Sequence, residues 1–380
     1  FHADETAPAT SNHIVHLVPS PDQSNILTYH KADVPEPSGP TMDLTATNIV
    51  IATGAKPHPL PGNPFAGALI DSTQALEVNE FPSSAVIIGA GAIALEFASM
   101  WNAAGSKVTL LIRKDRVLSA WDRRAGTTLT RELKRHGVNI ITRASVTHVD
   151  TGANLGATVH YTREGQDGEQ SVWGEIALAA IGRDPITDPA WGVTIDDHGH
   201  VATDAYGRTD KPGVWAVGDV TAGHALAHRA FEQGIVIAET IAGLNPKPVD
   251  EAAVPQIVFS FPEAASVGLT VEQAQAREDL VEIKETNYPM LANARMLMSG
   301  TAGSLTIVSG CDAANPDTPR VLGVHMVSPM ASDIIAEAEQ LVGNHVPLAD
   351  AARLVHPHPT FSETLGEALL KADGRPLHTR

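Results

Sequence analysis

Apolar and polar positions alternate over residues 13–17 and 25–29, which predicts a pair of half-buried strands. The proline-rich run 33–40 that follows them reads as a loop. Residues 48–52 are apolar after Asn48 and lead into Thr53-Gly54, as a buried strand ending in a glycine turn does. Runs of the same character recur at 85–88, 106–112, 176–181 and 213–217. Helical spacing predicts helices over 93–104, 230–241, 271–277 and 331–343, with further strands over 256–260 and 303–308 and a polar hairpin at 165–168. Strands alternating with helices define an α/β chain, and no short repeat suggests a solenoid.

One of these strands runs straight into Gly89-Ala90-Gly91-Ala92-Ile93-Ala94 and a helix. A strand, a tight turn and a helix start in that order suit a dinucleotide. Gly89 permits the turn, Gly91 lets the backbone approach a pyrophosphate, and Ala94 keeps helix and strand close. The plainer reading is a glycine-containing turn in any doubly wound sheet.

The next strand end bears on which nucleotide. A site for NAD calls for a carboxylate there to hold the ribose 2′-hydroxyl, but the sequence reads Ile112-Arg113-Lys114-Asp115-Arg116. Arg113 and Lys114 suit a 2′-phosphate, which favours NADP(H) over NAD(H). The plainer reading is a solvated basic loop.

Composition narrows the class. The chain has 380 residues, enough for two or three domains, and 43% of them are hydrophobic. A net charge of −18 argues against a nucleic acid or an anionic membrane as partner, and no apolar run is long enough to span a bilayer. The single cysteine, Cys311, excludes an internal disulfide, and a cytoplasmic setting is expected. No set of metal ligands is assigned.

Three further strands end in turns: Ala52-Thr53-Gly54, Gly182-Arg183 and Gly218-Asp219. Each alone is an ordinary turn sequence. In this order around the Gly89 turn they resemble the flavoprotein pyridine nucleotide–disulfide oxidoreductases of class I. The resemblance runs from about residue 10 to the C-terminus.

It implies an incomplete Rossmann-like FAD domain (1–80, with a return segment at 201–253), an inserted Rossmann-like NAD(P) domain (81–200) and an α+β dimerisation domain (254–380). Thr53, Gly54, Gly218 and Asp219 are then flavin-domain residues, with Asp219 on the ribityl chain. Gly182 and Arg183 line the nicotinamide nucleotide site. Glu96 sits near the flavin and nicotinamide rings, although it also suits the helix dipole as a first-turn carboxylate. The family often carries an aromatic residue where this chain has Ala92.

Near the C-terminus, His356-Pro357-His358-Pro359-Thr360-Phe361-Ser362-Glu363 sets a histidine five residues ahead of a glutamate across a proline turn. That spacing lets a carboxylate orient an imidazole, an acid–base pair in outline. The element is similar to the His-Pro-Thr-x-x-Glu of the disulfide reductases, where the histidine activates a dithiol across a homodimer interface. His356 and the ending Gly374-Arg375-Pro376-Leu377-His378 fit the dihydrolipoamide dehydrogenase branch, which implies a small dithiol or a lipoyl domain as partner. The cations at Arg113 and Lys114 fit the glutathione reductase branch instead.

Two family elements, the first FAD glycine turn and the redox C-x-x-x-x-C, do not occur in the chain. The chain therefore reads as N-terminally truncated by on the order of one hundred residues, and inactive in isolation. A reductase of quinones or metal ions and a non-catalytic nucleotide-binding fragment are the alternatives.

Overall fold

Along the strand Ser84–Ile88, Ala85 and Ile87 enter one core while Val86 and Ile88 enter another. The strand Lys107–Ile112 does the same, with Leu110 and Ile112 on the first side and Leu111 on the second. A two-residue period inside unbroken apolar runs is the signature of a sheet covered on both faces. The computed structural model describes residues 13–19, 25–31, 42–152 and 156–379. The expected loop at 33–40 lies outside them.

The chain divides into two units, one of residues 1–56 and 183–249 and one of residues 57–182 and 250–380. In the first, strands His13–Pro19, Asn25–Lys31 and Met42–Ala46 form an antiparallel sheet in sequence order. Strand Ile49–Ile51 pairs in parallel with Val214–Ala216, and both pack with Trp191, Val193 and Val201. Helix Ala227–Ile241 follows the turn at Gly218 and starts three residues earlier than its periodicity predicts.

The second unit holds a five-stranded parallel sheet in the order Leu69–Ile70, Ile176–Ala179, Ser84–Ile88, Lys107–Ile112 and Asn139–Thr142. Helices Ala92–Ala103 and Arg123–Arg135 cover one face through Leu95, Trp101, Leu129 and Leu133. A three-stranded antiparallel sheet, Ala144–Asp150, Ala157–Arg163 and Gln170–Gly174, covers the other through Ala144, Val159 and Tyr161. The predicted hairpin at 165–168 joins the last two of these strands.

The same unit ends in a five-stranded antiparallel sheet in the order Gln256–Val258, Glu263–Gly268, Asn315–Ser328, Ser304–Asp312 and Leu280–Pro289. Helices Ala331–Gly343 and Glu363–Ala372 pack on it through Ile334, Ile335, Leu341, Leu365 and Leu369. Val258, Ala264 and Val327 join the core of the parallel sheet, so the two sheets share apolar side chains. The strand predicted over 303–308 continues to Asp312. It is buried on both faces through Cys311, and its Ser and Thr residues hide the apolar run.

Candidate nucleotide turn and histidine–glutamate pair

Gly89 is held at φ +141°, and a Cβ built on it stands 2.2 Å from the Ala180 carbonyl oxygen and 3.3 Å from the Ala94 side chain. No other residue fits there, and Ala94 is small because the turn passes over it. Gly91 caps helix Ala92–Ala103 without a side-chain bond, and a Cβ there meets no heavy atom within 4 Å. The backbone is thus open to a ligand where the first-turn N–H groups lack side-chain partners, which fits a pyrophosphate.

Arg113 and Lys114 are exposed immediately beyond strand Lys107–Ile112, at the same sheet end as the Gly89 turn, because Ile88 pairs in register with Leu111. The Lys114 carbonyl accepts the Arg143 N–H at 3.1 Å, which pins the loop. Arg116 differs: its guanidinium pairs with Asp115 at 3.3 Å and donates to the Ser119 carbonyl at 3.1 Å. Of the three cations in the run, only Arg113 and Lys114 are fully on the surface.

Glu96 is engaged within the protein. Its Oε1 accepts the backbone N–H of Phe259 at 3.0 Å, and one turn later Ser99 Oγ accepts that of Phe261 at 3.1 Å. The helix that starts at the glycine turn therefore holds the chain just beyond the first strand of the antiparallel sheet. Ala92 opens that helix.

In the first unit, Thr53 Oγ1 donates to the Ile186 carbonyl at 2.6 Å, and Ile186 N–H donates to the Gly54 carbonyl at 2.9 Å. Gly54 lies at φ +71°, and the Arg183 guanidinium donates to the Ala55 carbonyl. Gly218 lies at φ +77° and donates its N–H to Gln233 Oε1 at 2.9 Å. Asp219 follows it, half-exposed, in the 3-10 turn Gly218–Val220 just beyond strand Val214–Ala216, where a carboxylate suits a sugar hydroxyl. In the second unit Gly182, at φ +151°, accepts the His58 N–H on its carbonyl at 3.0 Å.

His358 Nδ1 lies 2.7 Å from Glu363 Oε1, and Glu363 Oε2 accepts the Thr360 N–H at 2.8 Å. Glu363 opens helix Glu363–Ala372. Thr360 Oγ1 donates to the Pro357 carbonyl at 2.7 Å, and Asn293 Nδ2 donates to the Thr360 carbonyl at 3.0 Å, so the turn is braced from two sides. Burial raises the Glu363 pKa, but the Thr360 N–H and the His358 bond outweigh it and hold the carboxyl below its ordinary value. An ionised carboxylate accepts, so Nδ1 carries the proton and Nε2 of the neutral ring is a base. The His358 side chain is 75% exposed, within reach of a substrate.

His356 behaves differently. Its side chain is 8% exposed, and Nε2 meets Glu337 Oε1 at 3.0 Å. That bond raises its pKa against desolvation. Gly366 has no side chain because a Cβ there stands 2.4 Å from His356 Nδ1. The sequence carries no signal for this pair, whose members are 19 residues apart, Glu337 on helix Ala331–Gly343 and His356 on the loop before Glu363.

A parallel sheet covered by helices on one face and by a small antiparallel sheet on the other, with a glycine turn at its strand end and a C-terminal histidine–glutamate turn, fits an α/β oxidoreductase. Residues 14–234 match the pyridine nucleotide-disulphide oxidoreductase family, and residues 254–369 match the dimerisation domain of that family. The dihydrolipoyl dehydrogenase of Cupriavidus necator is 37% identical over 88% of this chain and 70% of its own length, and one from Bacillus subtilis is 36% identical over the same shares. Among solved structures, LpdA from Mycobacterium tuberculosis superposes with a TM-score of 0.81 at 26% identity, over 94% of this chain and 76% of that one. The HOCl-induced flavoprotein disulfide reductase RclA from Escherichia coli gives 0.77 at 26% identity, over 90% and 76%. The chain belongs to the pyridine nucleotide-disulphide oxidoreductase family, whose members use FAD and a nicotinamide nucleotide. No helix among the described residues is long and apolar enough to cross a membrane.

Proposed function

We propose that this protein works as a dihydrolipoamide dehydrogenase, exchanging electrons between a small dithiol or lipoyl domain and NAD(P)(H), as a homodimer. The observation that carries this reading is the 2.7 Å bond between His358 Nδ1 and Glu363 Oε1. A reductase of quinones or metal ions has no need of such a base.

His358 Nε2 accepts the proton of a substrate thiol, which makes the thiolate, the nucleophilic form. Glu363 fixes the ring tautomer and stabilises the imidazolium, and the Thr360 N–H keeps Glu363 ionised and in place. In the reverse direction the imidazolium returns the proton to a leaving thiolate. Bound FAD and nicotinamide supply the redox chemistry.

Gly89 and Gly91 hold the pyrophosphate of the nicotinamide nucleotide, and Arg113 and Lys114 favour the 2′-phosphate of NADP(H). Gly182 and Arg183 line that site. Thr53, Gly54 and Gly218 shape the flavin-side strand ends, and Asp219 offers its carboxylate to the ribityl hydroxyls. Glu96 acts by fixing the helix beneath the turn.

The test is His358→Gln in the full-length enzyme. Dithiol turnover should fall by about 10²–10⁴-fold while electron transfer from NAD(P)H to an artificial acceptor stays near wild type. A parallel loss of both activities makes the histidine structural.

A further inference from the structure

The antiparallel sheet that covers the nucleotide domain carries a side-chain cluster that the proposed reaction leaves unused. His148 and His160 are cross-strand partners, and their rings stack with centroids 4.0 Å apart and 8° between planes. A bulge creates the partnership. The register shifts between Val146 and His148, so Thr147 is the extra residue and His148 takes the place opposite His160. The neighbouring pair Val146 and Tyr161 packs into the core, which puts the histidines on the other face of the sheet.

Two carboxylates close the edges of the stack. Glu169 has Oε1 3.8 Å from His148 Nδ1 and Oε2 3.6 Å from His160 Nδ1. Thr147 Oγ1 donates to Glu169 Oε1 at 2.7 Å and so orients it. On the opposite edge, Asp150 Oδ2 lies 3.1 Å from His160 Nε2 and 3.8 Å from His148 Nε2. One donor atom from each of His148, His160 and Glu169 falls within 4.8 Å of the other two.

We propose that His148, His160 and Glu169 form a binding site for a divalent transition-metal cation of the zinc type. Two imidazoles and one carboxylate suit Zn²⁺, Ni²⁺ or Cu²⁺, whereas Mg²⁺ and Ca²⁺ prefer all-oxygen sites. Asp150 distinguishes this cluster from a chance surface grouping. It accepts the Nε2–H of His160, which leaves the lone pair on Nδ1, the edge that faces Glu169. Metal–ligand bonds of about 2.0–2.2 Å require the donors to draw together. His148 is 47% exposed and can turn about its ring bond to open the stack at the Nδ1 edge, while His160, 22% exposed, is the fixed member. Water completes the tetrahedron. Cys311 is buried in the C-terminal sheet and does not compete.

Calorimetric titration of the untagged, chelator-treated full protein with Zn²⁺ tests the site, with Mg²⁺ as control. One saturable site per chain is expected. It should be weakened about tenfold or more by His148→Ala, by the double variant His148→Ala/His160→Ala and by Glu169→Gln, and about tenfold by Asp150→Asn, which keeps all three ligands. Mg²⁺ should give no saturable heat. With Cu²⁺, electron paramagnetic resonance should show coupling to two imidazole nitrogens in the wild type and to one in His148→Ala. Because His148 is half-exposed, that single variant keeps the test valid if the double variant misfolds. Equal Zn²⁺ affinity in the wild type and a folded His148→Ala protein overturns the proposal, as does a wild type without a saturable site.

Discussion

The Glu96 carboxylate accepts the backbone N–H of Phe259 at 3.0 Å, across 163 residues of sequence. Helix Ala92–Ala103 thus presents its N-terminus to the nucleotide turn and a side chain one turn later to the antiparallel sheet. A charge-assisted bond of this kind contributes about 1.5–3 kcal/mol. Glu96→Ala should lower the unfolding free energy in urea by about that amount, and Glu96→Gln, which keeps an acceptor, should lower it less. Equal losses in the two variants would show that the Phe259 bond contributes little.

Gly89 and Gly91 separate folding from binding. Gly89→Ala forces a Cβ against the Ala180 carbonyl and a left-handed φ on alanine, so stability should fall by about 3 kcal/mol or more. Gly91→Ala meets no atom at φ −90°, so its unfolding free energy in urea should stay within about 0.5 kcal/mol of wild type. Its nicotinamide nucleotide affinity should nevertheless fall, as fluorescence titration can measure. An unchanged affinity sinks the pyrophosphate assignment.

Arg113→Gln/Lys114→Gln should weaken NADPH more than NADH, by about tenfold in relative affinity, if the two exposed cations serve the 2′-phosphate as proposed. Equal loss for both nucleotides rejects the preference for NADP(H).

His356 has a pKa raised above its ordinary 6.5 by the Glu337 hydrogen bond. Stability from a raised histidine pKa is fully present below the unfolded value and is lost as pH rises through the folded value. Glu337→Gln should therefore destabilise the protein more at about pH 6 than at about pH 8.5. A loss that is constant with pH means the pair acts as a neutral hydrogen bond.

The glycine turn was legible because two periods meet there, a buried strand before Gly89 and a helix after it, and because glycine has no substitute at φ +141°. His358 and Glu363 were legible because both lie on one short turn. Contacts that fold distant elements together left no trace in the sequence. Phe259 enters the Glu96 bond through its backbone, which any residue supplies. His148 meets His160 only through the shift at Thr147, which no alternation rule anticipates. Strand Asn315–Ser328 escaped prediction because its first half is exposed and polar, while its second half is buried without alternation.

The hydrogen bond from His58 N–H to the Gly182 carbonyl, 3.0 Å long, joins the first and last stretches of the 57–182 segment. A segment whose two ends meet can be spliced into a host chain, or removed from it, without stretching the host backbone. The chain thus enters and leaves the 57–182 segment at one place. Its core, however, is continuous with the antiparallel sheet through Val258, Ala264 and Val327, so the segment cannot be removed without uncovering that sheet.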